Sequence, residues 1–142
     1  MGGKTFQELM SIKKKASDIN SKEIFEKYQK SSEFWDVQII DVNQHGLSGD
    51  TMLHIAAWQG STEDMNKLIL LGSDVNSVGD LGNTPLHHAV LFDQMESIKL
   101  LLNHNVNVDI KNESGEKPLD IAKRNNRKEI INLIIKKSNK NT

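Results

Sequence analysis

An all-α solenoid of stacked helix–turn–helix units, joined by turn or hairpin tips, is what this sequence predicts, on three observations. A block beginning at Gly49 returns at Gly82 and again at Gly115, an internal period of 33 residues (49 to 82 to 115). Each copy opens on a helix-start pair: Thr51-Met52, Thr84-Pro85 and Lys117-Pro118. Apolar residues then follow at helical spacing, as Met65, Leu68 and Ile69 do. A period shared by many independent positions is hard to reach by chance. Leu68 maps onto Leu101 and Ile134, and Gly72-Ser73-Asp74-Val75-Asn76 maps onto Asn105-Val106-Asn107-Val108-Asp109.

In chain order, residues 1–44 carry no copy of the block. Phe6, Leu9 and Met10, then Ile24, Phe25 and Tyr28, fit amphipathic helices, and Phe34-Trp35-Asp36-Val37-Gln38-Ile39 reads as an extended segment. Asp41-Val42-Asn43 lies one period before Asp74-Val75-Asn76. The region is read as a divergent cap over the first full repeat, since the exposed end of a solenoid needs a cover. The alternative is a separate functional segment that adds contacts of its own.

The repeats then run 45–78, 79–111 and 112–137, followed by a frayed tail at 138–142, all within a single domain spanning 1–142. Thr at the N-cap accepts an orphan backbone N–H, and Pro at the first helical position has none to lose. Leu53 with Ala56, and Leu86 with Ala89, make a narrow apolar stripe whose alanines let the next unit stack closely. Gly60 permits the turn into a second helix, Gly72 ends that helix in a left-handed cap, and a turn rich in Asp, Asn and Gly leads onward.

Gly82-Asn83-Thr84-Pro85-Leu86-His87-His88-Ala89 and Gly49-Asp50-Thr51-Met52-Leu53-His54-Ile55-Ala56 resemble the ankyrin-repeat consensus, with its signature tetrapeptide intact at Thr84-Pro85-Leu86-His87. The resemblance covers roughly residues 45 to 137 and implies an ankyrin-repeat solenoid of about three repeats. The third copy departs from it: Lys117 replaces the cap Thr, Asp120 the His and Asn126 the turn Gly, the polar drift that suits a C-terminal cap. The resemblance assigns His54 and His87 a structural role, binding backbone and tying neighbouring repeats together. His88 stands where the sister repeats have Ile55 and Ile121, while His45 and His104 are isolated near turns.

Composition narrows the function. The 18 basic and 19 acidic residues nearly balance, and the only arginines are Arg124 and Arg127, so nucleic acid is not the expected partner. The absence of cysteine excludes a disulfide framework, a thiolate zinc site and a catalytic thiol, and fits a cytoplasmic protein. No signal peptide or membrane span is legible, and the myristoylation hint at Gly2 is undercut by Phe6 where Ser or Thr belongs. No G-x-S-x-G, P-loop, H-E-x-x-H or dinucleotide motif occurs. No catalytic, cofactor or metal residue is assigned, and the chain is read as a non-enzyme that is a monomer on its own.

Ankyrin arrays present their tips and the ends of their first helices to partners, so the resemblance implies a surface. Its helix-end residues are Trp58, Gln59, Leu91, Phe92 and Arg124, and its tip residues Leu47, Asp50, Asp80, Leu81, Asn83, Glu113 and Glu116. Exposed aromatics within a polar surround mark interface hot spots. The competing reading folds Trp58 and Phe92 back into the core. Four acidic tips against few cations suit a basic partner. The stretches 41–51 and 78–84 are also similar to small bacterial ankyrin proteins that act as immunity partners of delivered toxins, which implies occlusion of a basic, nuclease-like toxin domain. A generic adaptor or regulatory module is the alternative. A nucleic-acid binder or small enzyme stands behind both.

Overall fold

A computed structural model describes residues 3–17 and 20–140. Among them are eight α-helices and no strand: α1 Phe6–Ser17, α2 Ser21–Gln29, α3 Met52–Gln59, α4 Thr62–Leu70, α5 Pro85–Leu91, α6 Met95–Asn103, α7 Pro118–Arg124 and α8 Lys128–Lys140. Helices α3, α5 and α7 stack on one another in one row, and α4, α6 and α8 form a second row behind them. The core lies between the rows. Leu53, Leu68, Leu86, Leu101, Ile121 and Ile134 are fully buried there, each side chain stabilising the fold by about 2 kcal/mol. Ala56, Ala89 and Ala122 are also buried, and their small side chains let the first-row helices approach.

One hydrogen-bond relay explains the spacing of Thr and His. In α3 the Thr51 N–H donates to His54 Nδ1 at 3.1 Å, so that nitrogen carries no proton and His54 Nε2 donates to the Asn83 carbonyl at 2.9 Å. In α5 the Thr84 N–H donates to His87 Nδ1 at 3.0 Å, and His87 Nε2 donates to the Glu116 carbonyl at 2.9 Å. Each imidazole therefore caps its own helix and grips the next repeat. In α7 Asp120 accepts the Lys117 N–H at 2.8 Å and has no second donor to pass forward. That position closes the relay where no further repeat is packed.

The N-terminal segment corrects one expectation. Residues 34–39 are not extended: Ser32–Phe34 form a 3₁₀ turn, with Phe34 and Ile39 buried and Trp35 pointing outward. Gln29 holds the loop, its Nε2 donating to the Phe34 and Val37 carbonyls and its Oε1 accepting the Ile39 N–H. With one amide side chain satisfying three backbone groups, no partner strand is needed. α2 docks through buried Tyr28, whose hydroxyl donates to Asp64 of α4 at 2.8 Å, beside a Lys27–Asp64 ion pair at 2.7 Å. α1 packs against α4, yet Phe6, Leu9 and Met10 stay exposed. At the other end α8 continues through Ser138–Lys140, read from the sequence as frayed; Asn141 and Thr142, like Met1 and Gly2, lie outside the described residues.

Candidate protein-binding surface

The tips are built alike. In each, the N–H that opens the loop donates to a carbonyl four residues on: Gly46 to Asp50 at 2.8 Å, Gly79 to Asn83 at 2.8 Å and Asn112 to Glu116 at 2.9 Å. Neighbouring tips are joined by the Asp80 N–H donating to Asp50 Oδ1 at 2.9 Å and the Glu113 N–H donating to the Leu81 carbonyl at 3.0 Å. The Leu47 N–H donates to the Glu33 carbonyl at 2.8 Å, so the Ser32–Phe34 turn extends the same line. Gly79 is where backbone passes closest to a neighbour, since a Cβ there would collide with Asp50 Oδ1 and His54 Nε2.

Beside the tips, the ends of α3 and α5 bring aromatic rings together. Trp58 and Phe92 meet with ring centroids 5.3 Å apart. Phe92 in turn lies parallel to His88 at 6.4 Å, and His88 meets His54 edge-on at 5.4 Å. Phe92 is 53% exposed and Leu91 40%, whereas Trp58 is half-buried against the core edge. Trp58 thus divides its surface between the two sequence readings. Gln59 is exposed, as are Leu47, Leu81 and Glu113, and Asp80 is half-exposed.

Two residues expected at free tip positions are not free. Asp50 is 7% exposed, its carboxylate held by the Asp80 amide and lying 3.4 Å from His88 Nε2. Asn83 is buried, its Oδ1 accepting from Asn112 Nδ2 at 3.0 Å. The helix-first position that follows each tip is tightly packed, so a residue adjoining it in sequence is drawn inward. Glu116 and Arg124 are exposed only as a pair, with Arg124 Nε and Nη2 donating to the Glu116 carboxylate at 2.9 and 3.1 Å. The acidic rim therefore reduces to Asp80 and Glu113.

Burial by itself would raise the Asp50 pKa, but His88, the Asp80 amide and His54 together outweigh it and hold the carboxyl below the usual range. Burial drives His54 down to about 4, against the pull of Asp50 and the Asn83 carbonyl, which keeps the imidazole neutral in its relay. Sequence reasoning missed Trp35, at 81% the most exposed of the large apolar residues described, because reading 34–39 as extended obscured the turn that directs it outward, beside the cleft between α2 and residues 36–39. The Asp93–Arg127 ion pair between the ends of α5 and α8 was also missed, and no local motif announces it. Among the described residues no group of three or more His, Cys, Asp or Glu side chains converges as a metal site, and no helix is long and apolar enough to cross a membrane.

A stacked two-row array with an aromatic strip and a line of polar tips is a protein-interaction scaffold. Residues 53–142 match the family model for ankyrin repeats, in three copies. The chain belongs to the ankyrin-repeat family. A comparison with curated proteins found no match.

Proposed function

We propose that the protein grips a basic protein domain through the strip formed by Trp58, Leu91 and Phe92, with Leu47 and Leu81 at its edge, and blocks that domain's activity as an immunity protein does a toxin. The observation that carries the contact is Phe92: a phenyl ring 53% exposed, shelved on His88 and touching Trp58, and left uncovered by the described residues. Charge supports the basic partner. Residues 1–116 hold seventeen acidic against ten basic side chains, a field that speeds capture of a cation-rich surface. The toxin reading draws on the sequence resemblance at 41–51 and 78–84, and the rings supply an anchor able to occlude an active site.

Co-expression with a candidate toxic domain, sought first among the products of neighbouring genes, tests both parts. Wild type restores growth and co-purifies with the domain, while Leu91→Ala with Phe92→Ala loses both and keeps the wild-type melting temperature. Capture of another protein through the same strip, without neutralisation, would favour the adaptor reading. Binding unchanged in the double variant would remove the strip from consideration.

A further inference from the structure

The chain's charge is strongly polarised. Residues 117–140 hold eight Lys and Arg against two acidic side chains, the reverse of the balance in residues 1–116. Three of these cations are paired: Lys117 with Asp109 and Arg127 with Asp93 of the preceding repeat, and Arg124 with Glu116 of its own. Among the described residues Lys136, Lys137 and Lys140 make no ion pair. These three share one face of α8 with Leu133, at spacings of three, four and seven residues. Across from them on α6 stand Lys99 and Leu102, and between the helices runs a groove of about 300 Å³ with Leu102 and Leu133 as its aliphatic floor and the four lysines around it. Lys99 is tied only to Glu96, an exposed pair at 3.4 Å on its own helix.

The repeat itself does not require these lysines. One period earlier the six positions are Asn66, Ile69, Leu100, Asn103, His104 and Asn107, so the aliphatic pair is kept and every lysine is absent. The helix macrodipole accounts for cations in the last turn of α8, but not for Lys99 in the middle of α6. The earlier part of the second row also shows what shape such a face accepts. There the amphipathic α1 packs on α4, and Lys4 comes near enough to His104 to lower its pKa, second to burial.

From this we infer that the α6–α8 groove is a second docking site, separate from the aromatic strip, for an acidic amphipathic helix of a partner protein. Apolar side chains of that helix seat on Leu102 and Leu133, and its carboxylates meet Lys99, Lys136, Lys137 and Lys140. The lining has neither the aromatic rings on which bases stack nor an arginine fork for phosphate. A concave floor fits a ridge of side chains better than a lipid surface. The α1 of a second copy is a poor occupant, because its sequence brings Lys13, Lys14 and Lys15 against a single Glu8.

Titration of the ¹⁵N-labelled full chain with a synthetic amphipathic helix of Leu and Glu, and with a twin carrying Gln for Glu, tests the site. The acidic peptide should move amide resonances of α6 and α8 and leave those of Trp58 and Phe92 in place. Lys136→Glu with Lys140→Glu, both exposed positions, should weaken it by about tenfold or more, and the Gln twin should be weaker by a similar factor. Equal binding of the two peptides, or no shift in α6 and α8, overturns the proposal. So does tighter binding of phosphatidylserine vesicles or a single-stranded oligonucleotide to the same helices, or peptide-independent self-association that the two substitutions abolish.

Discussion

His88 Nε2 lies 3.4 Å from Asp50 Oδ1 in the buried seam between the first two repeats, and neither ring nitrogen of His88 completes a hydrogen bond. The sister positions are Ile55 and Ile121, both buried and both apolar. An imidazole with two unsatisfied nitrogens is a costly occupant of such a place, and its visible return is the shelf it gives Phe92. His88→Ile should therefore raise stability by about 1 kcal/mol at neutral pH, since Asp50 keeps its bond from the Asp80 amide. Urea unfolding measures this. A lower midpoint for the variant would mean that the Asp50 contact outweighs the stranded nitrogens.

Leu81 carries a related tension. It sits at φ 54°, ψ 25°, in the left-handed region, and its side chain is exposed at the tip. A leucine there is strained by about 1 kcal/mol, and the sister tips place Ser48 and Ser114 at this position. Leu81→Asn should raise the melting temperature and weaken partner capture together, because the strain is kept for the sake of an exposed apolar side chain. If capture were unchanged, Leu81 would lie outside the contact.

The period of 33 residues made the two rows, the Thr–His caps and the buried alanines legible from sequence, because each repeats with its neighbours fixed. Residues 20–40 were less legible for the opposite reason. Their order rests on single long-range bonds, Gln29 to three backbone groups and Tyr28 to Asp64, which leave no periodic trace. The register placed Leu81 at a tip and Phe92 at a helix end, both exposed, but misjudged Asp50 and Asn83, because burial there depends on the bonds from Asp80 and Asn112 across the repeat boundary.

Acid should loosen the relay before it touches the carboxylates. An unfolded histidine takes its proton near pH 6.5, whereas folded His54 takes it only near 4, and His87 is lowered in the same direction by burial. The unfolded chain thus binds more protons below 6.5. The stability these residues supply is complete above that pH and is lost as pH falls toward 4, by roughly 3 kcal/mol for His54. Asp50, also lowered, adds its loss only below about 3.8. Unfolding free energies measured at pH 7.5, 6 and 5, as convenient points across this window, should fall steadily. A flat profile would show that the imidazoles are not held neutral.

Tyr28 decides whether the N-terminal helices unfold with the repeats or ahead of them. The ring is buried, and its hydroxyl donates to Asp64, which also pairs with Lys27. Burial and the Asp64 bond both push the Tyr28 pKa up, so the phenol stays protonated as a donor. Tyr28→Phe keeps the ring and deletes one bond to a charged acceptor, at a cost of about 1.5–3 kcal/mol. If α2 is integral to the first repeat, the variant should show a single transition at lower urea, with Trp35 and Trp58 fluorescence changing together. Two separated transitions, with the Trp58 signal unmoved, would mean that α2 docks on a repeat array stable without it.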